Sequence, residues 1–151
     1  MAVTRLLHVL GVVVWVGGMF FAYLALRPVV AQQLEPPQRL KLWQGVLQRF
    51  FFWVWIAVAL ILGSGSYMMW QSGGVNALLH IYTMMMLGLL MMLIFAHVYF
   101  APFRRLQRSI AAQDWATAGA ALNQIRIMVA VNLTLGLITI AVAALGQITA
   151  G

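Results

Sequence analysis

Cysteine is absent from this chain, acidic residues number only two, and charged residues of every kind make up 7% of its 151 positions. Without cysteine there can be no disulfide, no thiolate metal site and no iron–sulfur cluster held by this chain, and the redox compartment cannot be read from thiols. The two acids, Glu35 and Asp114, both stand in connecting segments. Hydrolysis by paired carboxylates and a carboxylate-driven proton pump therefore lack their parts. No nucleophile accompanied by a base and no phosphate-binding loop is present either.

What the chain has in excess is hydrocarbon. Hydrophobic residues make up 64% of it, which leaves too little polar surface to cover a soluble globule. Four apolar runs, Leu6–Leu26, Phe50–Trp70, Ala77–Phe100 and Ile127–Thr149, each reach the roughly 20 residues that carry an α-helix across a hydrocarbon core of about 30 Å. The expected fold is all-α: an integral membrane bundle of four transmembrane helices in one domain, residues 1–151. Arg5 before the first run imitates a signal peptide. The run is too long for a signal core, lacks a small-residue cleavage site and is followed by more positive charge than precedes it, so it reads as a retained first helix.

Eight of the nine basic residues fall in two connectors: Arg27, Arg39, Lys41 and Arg49 after the first run, and Arg104, Arg105, Arg108 and Arg126 after the third. The connector Gln71–Asn76 is uncharged and short, so the second and third runs form an antiparallel hairpin. By the positive-inside rule the basic loops face the cytoplasm and the topology is N-out/C-out. The net charge of +7 sits at expected membrane boundaries, where it meets anionic headgroups and not nucleic acid. The first helix is expected to end near Arg27-Pro28, with Pro36-Pro37 opening an amphipathic approach to the second. Trp43, Trp53, Trp55 and Trp70 include candidate interfacial anchors. Ala59 and Gly63 are spaced for close helix packing or for a homo-oligomer contact.

Ionisable side chains inside a bilayer are costly unless satisfied, so the histidines are the candidates for chemistry. His8 and His80 each sit about one turn into helices that run in the same direction, which matches their depths to within roughly 5 Å. On a helical period His8 shares a stripe with Val12, Trp15 and Met19, and His80 with Met84, Leu87 and Met91. Facing stripes would bring two imidazoles to one centre, suited to bis-histidine haem b or to a metal. Taken singly, each would be an interfacial histidine with its ring among headgroups. Arg5, one turn before His8, could pair with haem propionates or simply snorkel. Tyr67 and Ser66 lie in the same half of the bundle as supporting polar groups.

His97 lies roughly 25 Å from His80 and about 100° around the helix, so it cannot share the site of His8 and His80; a structural role with Asn132 as hydrogen-bond partner is expected, a second haem or quinone site being the alternative. The ten methionines are mostly packing residues, but Met84 and Met91 offer soft thioethers for Cu(I) near His80.

The stretch Leu7-His8 through Trp15-Val16-Gly17-Gly18 resembles the first helix of the CopD superfamily of small membrane proteins. Arg49–Met68 with Gly65-Ser66-Tyr67 is similar to its second helix, and a third helix ending in Phe103-Arg104-Arg105 is compatible with its third. The resemblance spans the chain and is specific in the first helix. It implies a multi-pass protein of the bacterial inner membrane. CopD proper implies copper uptake with a periplasmic copper carrier; the related HemJ group implies haem b and protoporphyrinogen oxidation. The family histidine maps onto His8. The lysine that members commonly carry on the third helix is missing, Lys41 being the only lysine, and His80 stands near that position. That departure disfavours protoporphyrinogen oxidase activity. The leading expectation is a haem b protein with His8 and His80 as axial ligands, Arg5 at the propionates and Trp15 and Tyr67 nearby, serving electron transfer or haem-dependent redox chemistry in the membrane, with a quinone or a periplasmic redox or copper protein as candidate partner. The alternative is Cu(I) handling by His8, His80, Met84 and Met91, and a third reading is a non-catalytic subunit whose histidines only pack.

Overall fold

The computed structural model describes residues 1–73 and 79–149, with side chains to 148. It is all helical: α1 (Ala2–Phe20) runs through a π-helical stretch (Phe21–Leu26) into α2 (Arg27–Gln33), followed by α3 (Pro36–Gln71), α4 (Leu79–Phe100), α5 (Pro102–Ala111) and α6 (Trp115–Thr149). Among the described residues four helical spans are long and apolar enough to cross a membrane, at 32, 36, 33 and 34 residues. Asn76 and Ala77, where the hairpin connector was expected to end and the third run to begin, lie outside the described residues.

The spans are longer than the apolar runs alone indicate, because helix continues through segments read as boundaries. Helix does not stop at Arg27-Pro28. Proline lacks an N–H, and its ring crowds the carbonyl four residues back. The π stretch immediately before it widens the ladder, with the Arg27 N–H reaching the Ala22 carbonyl, and the helix goes on to Gln33. The real break is Leu34–Glu35, where both residues turn extended and Pro36 starts α3. Between α5 and α6 the chain closes with a left-handed Gln113 (φ 55°), the Asp114 N–H bonding Ser109 O and the Gln113 N–H bonding Ile110 O. Asp114 then caps α6, its carboxylate accepting from the Thr117 N–H (3.2 Å) and the Thr117 hydroxyl (2.6 Å).

Two antiparallel pairs make up the bundle. On α1, Gly11 meets Ile61 and Ala57 of α3, and Gly18 meets Phe50, so positions rise on one helix as they fall on the other. On the second pair, Gly136 of α6 meets Met91 of α4, and Gly146 meets His80 in the same manner. These glycines, and not Ala59 and Gly63, carry the close approaches; Ala59 and Gly63 point outward and nothing lies within 4 Å of a Cβ at Gly63.

The pairs join through aromatic packing. Trp15 meets Phe95 edge-on at 6.0 Å, Phe51 meets Phe95 at 5.4 Å and Phe103 at 4.9 Å, and Trp55 meets Phe95 at 4.9 Å. Lipid tails are as apolar as these rings, so close contact and ring geometry, and not expulsion of water, hold the pairs together. The core continues toward the basic loops, where Trp43, Leu47, Leu106, Ile110, Ala118 and Ile125 are buried. Trp43 is therefore a core residue and not an interfacial anchor, whereas Trp53 and Trp70 are exposed. Toward the end that carries the termini, burial almost ceases: no side chain of residues 2–10, 65–71 or 79–90 is fully buried. There the helices pair two by two.

Candidate metal site at the end carrying the termini

Both stripes expected from helical periodicity face inward. His8 and Val12 are half-buried and Trp15 and Met19 buried, while His80, Met84 and Leu87 are half-buried and Met91 buried. Each histidine is held by the partner helix of its own pair. His8 Nδ1 lies 3.0 Å from the Ser64 hydroxyl of α3. That hydroxyl already donates to the Leu60 carbonyl, so toward His8 it serves as acceptor for the tautomer that carries its proton on Nδ1. The pattern leaves the Nε2 lone pair of His8 available, in a ring whose orientation is fixed by a hydrogen bond, the usual arrangement of a metal-ligating histidine.

His80 is set differently. A Cβ at Gly146 would stand 2.5 Å from His80 Cγ, 2.7 Å from its Cβ and 2.8 Å from its Cδ2, so the imidazole occupies the space that only glycine leaves on α6. Among the described residues no three or more His, Asp or Glu side chains gather into a metal-holding group. The candidate donors at this end are the imidazoles of His8 and His80 and the thioethers on the α4 stripe, a donor chemistry that suits Cu(I) better than calcium.

The remaining candidates are distributed as follows. Arg5 is exposed one turn before His8. Tyr67 is exposed, accepts a hydrogen bond from Gln71 (2.7 Å) and packs on Trp70. Ser66 is exposed beside it. Trp15 stands in the core against Phe95, deeper than the histidines. Met84 is half-buried one turn from His80, and Met91 is buried with its methyl near Gly136. The expected His97–Asn132 pair does not form. Asn132 donates instead to the Met91 carbonyl (3.1 Å), which α4 presents to α6 one and a half turns before His97, and His97 is exposed. Ser64 and Gly146 are the functional neighbours that sequence reading did not single out; both look like ordinary small residues of membrane helices.

A bis-histidine haem b site gains no support from this geometry, since the two imidazoles are engaged by different helix pairs. The family model for CopD, copper resistance protein D, matches residues 44–145, which includes α4 and His80 but begins after His8. No curated protein and no solved structure matches the chain. With more than half its length matched by that model, the chain belongs to the CopD family.

Proposed function

We propose that this protein handles copper in the membrane, as Cu(I), in a copper-resistance role. Family membership over residues 44–145 is the observation that carries this reading. The donor chemistry supports it. Cu(I) takes imidazole and thioether ligands in low coordination number and needs no carboxylate, and the membrane interior of this chain has histidines and methionines and no acid. Copper is the cargo. His8, oriented by Ser64, and His80, set against Gly146, are its imidazole donors, and Met84 and Met91 lie farther along the inward stripe of α4 as thioether steps toward the core.

The charge asymmetry of the loops argues for an N-out/C-out orientation in a bacterial plasma membrane. The histidines then face the outer side, where a copper carrier protein would deliver the ion, and the sparse packing of that half gives cargo room to enter. Cells expressing the chain are expected to change their copper content relative to cells expressing His8→Ala/His80→Ala at equal protein level. Equal copper content in the two, or a purified protein with a reduced-minus-oxidised haem spectrum and no copper, would overturn the reading.

A further inference from the structure

A groove of about 320 Å³ opens at the other end of the bundle, beside the basic loops and away from His8 and His80. Helical periodicity builds it. Gln48, Phe52 and Trp55 lie on one stripe of α3, and Tyr99, Phe103 and Gln107 lie on one stripe that continues from α4 into α5. The backbone break at Ala101 (φ −115°, ψ −84°) and Pro102 at the start of α5 fall within that second stripe, and residues from both sides of the break line the groove.

The groove is amphiphilic. Its walls are rings, with Trp55 edge-on to Tyr99 at 5.4 Å, and Phe52 is 63% exposed, so the walls open outward where lipid chains lie. Its rim carries the Arg104 guanidinium and two carboxamides, Gln48 and Gln107. Among the described residues these three side chains make no hydrogen bond and no ion pair; Arg104 only rests over the Phe100 ring at 5.0 Å. Five other cations of this end are engaged: Arg105 with Gln124, Arg39 with the Ala31 and Leu34 carbonyls, Arg49 with Gly45 O, Lys41 over Trp115 and Arg27 over Tyr23. Arg108 and Arg126 are exposed and, like Arg104, make no side-chain hydrogen bond among the described residues, but they do not line the groove. The groove therefore presents one positive charge and further donors above an apolar slot, at the height where a span meets its basic loop.

We propose that this groove binds an anionic phospholipid, its phosphate held by Arg104 with Gln48 and Gln107 and an acyl chain laid along Phe52 and Trp55. The chemistry is that of a fork-shaped guanidinium meeting phosphate in a low-dielectric boundary, where a charge-assisted hydrogen bond is stronger than in water. A zwitterionic lipid offers the same tail but carries an ammonium that Arg104 repels. The proposal is independent of the copper reading.

The test is native mass spectrometry of the purified full chain with added phosphatidylglycerol, phosphatidylcholine or inorganic phosphate. Wild type and Arg108→Gln, which alters a basic residue outside the groove, are expected to retain phosphatidylglycerol and not phosphatidylcholine. Arg104→Gln is expected to bind phosphatidylglycerol about five-fold more weakly. Equal retention of both lipids, equal binding by Arg104→Gln and wild type, equal losses in the Arg104 and Arg108 variants, or displacement of the lipid by inorganic phosphate would each overturn it. Should Arg104→Gln lose helix content, Gln107→Leu decides: weaker phosphatidylglycerol binding supports the site, and unchanged binding overturns it.

Discussion

Replacing Gly11 by alanine tests how tightly the first helix pair governs the candidate metal site. A Cβ at Gly11 would stand 2.9 Å from Ile61 Cγ1 and 3.1 Å from the Ala57 carbonyl oxygen. Ile61 can shift its side chain, but the Ala57 oxygen belongs to the α3 backbone and cannot swing away. Restoring an ordinary contact of 3.4 Å requires α1 and α3 to part by about 0.3 to 0.5 Å. His8 lies one turn away, and the same parting stretches its 3.0 Å bond to Ser64 toward about 3.5 Å, the limit at which such a bond ceases to count. Overpacking costs about 1–3 kcal/mol, while helical alanine is favoured over glycine by about 0.5–1 kcal/mol. Gly17→Ala isolates the contact, because Gly17 is exposed with nothing within 4 Å of its Cβ position, so it takes the helix gain alone. In detergent-to-denaturant titrations followed by circular dichroism, Gly11→Ala is expected to fall about 1–3 kcal/mol below Gly17→Ala, and its Cu(I) affinity should fall with it. Equal stability of the two variants would refute the packing described for this helix pair.

Ser64→Ala removes the acceptor that orients His8, and Cu(I) affinity is expected to fall about ten-fold, measured by competition with a chromogenic chelator, while stability changes by only about 0.6 kcal/mol. Phe51→Ala deletes a ring that is 2% exposed and touches Phe50, Phe95, Tyr99 and Phe103, and should cost about 3–5 kcal/mol in the same denaturant titration. Asp114 is held below the ordinary aspartate value by its hydrogen bonds from Thr117. The sign follows: a depressed carboxylate contributes its stability at neutral pH and loses it as pH falls through the carboxylate range. Wild type should accordingly melt above Asp114→Asn at neutral pH, with the two melting temperatures converging in acid.

How much of this was legible in the sequence depended on whether periodicity or context decided it. Hydrocarbon runs and their spacing gave four spans, and the His8 and His80 stripes do turn inward, because helix length and helical phase are properties of local sequence. Span ends were harder to read. Pro28 stops a helix in isolation, but here a π-helical turn accommodates it, and the stop falls at Leu34–Glu35 instead. Small residues gave the right kind of contact at the wrong positions: Gly11, Gly18, Gly136 and Gly146 touch a neighbour, whereas Ala59 and Gly63 do not. Which glycine is used depends on the rotation of two helices about their own axes, which no single helix encodes. Asn132 illustrates the same point. Its depth predicted His97, but helix rotation brings it to a backbone carbonyl at Met91, with its own carboxamide oxygen left buried and unpartnered. The serine beside His8 and the glycine beside His80 escaped notice because their roles exist only across a helix pair.

Cu(I) binding through His8 is the most directly testable part of the proposed function. An anaerobic Cu(I) competition titration of the purified full chain, wild type against His8→Ala with helix content checked in both, measures that binding. It is expected to give tight Cu(I) binding by wild type and a loss of about ten-fold or more in His8→Ala. Identical Cu(I) affinity in the two proteins, or no Cu(I) binding by wild type, would contradict it.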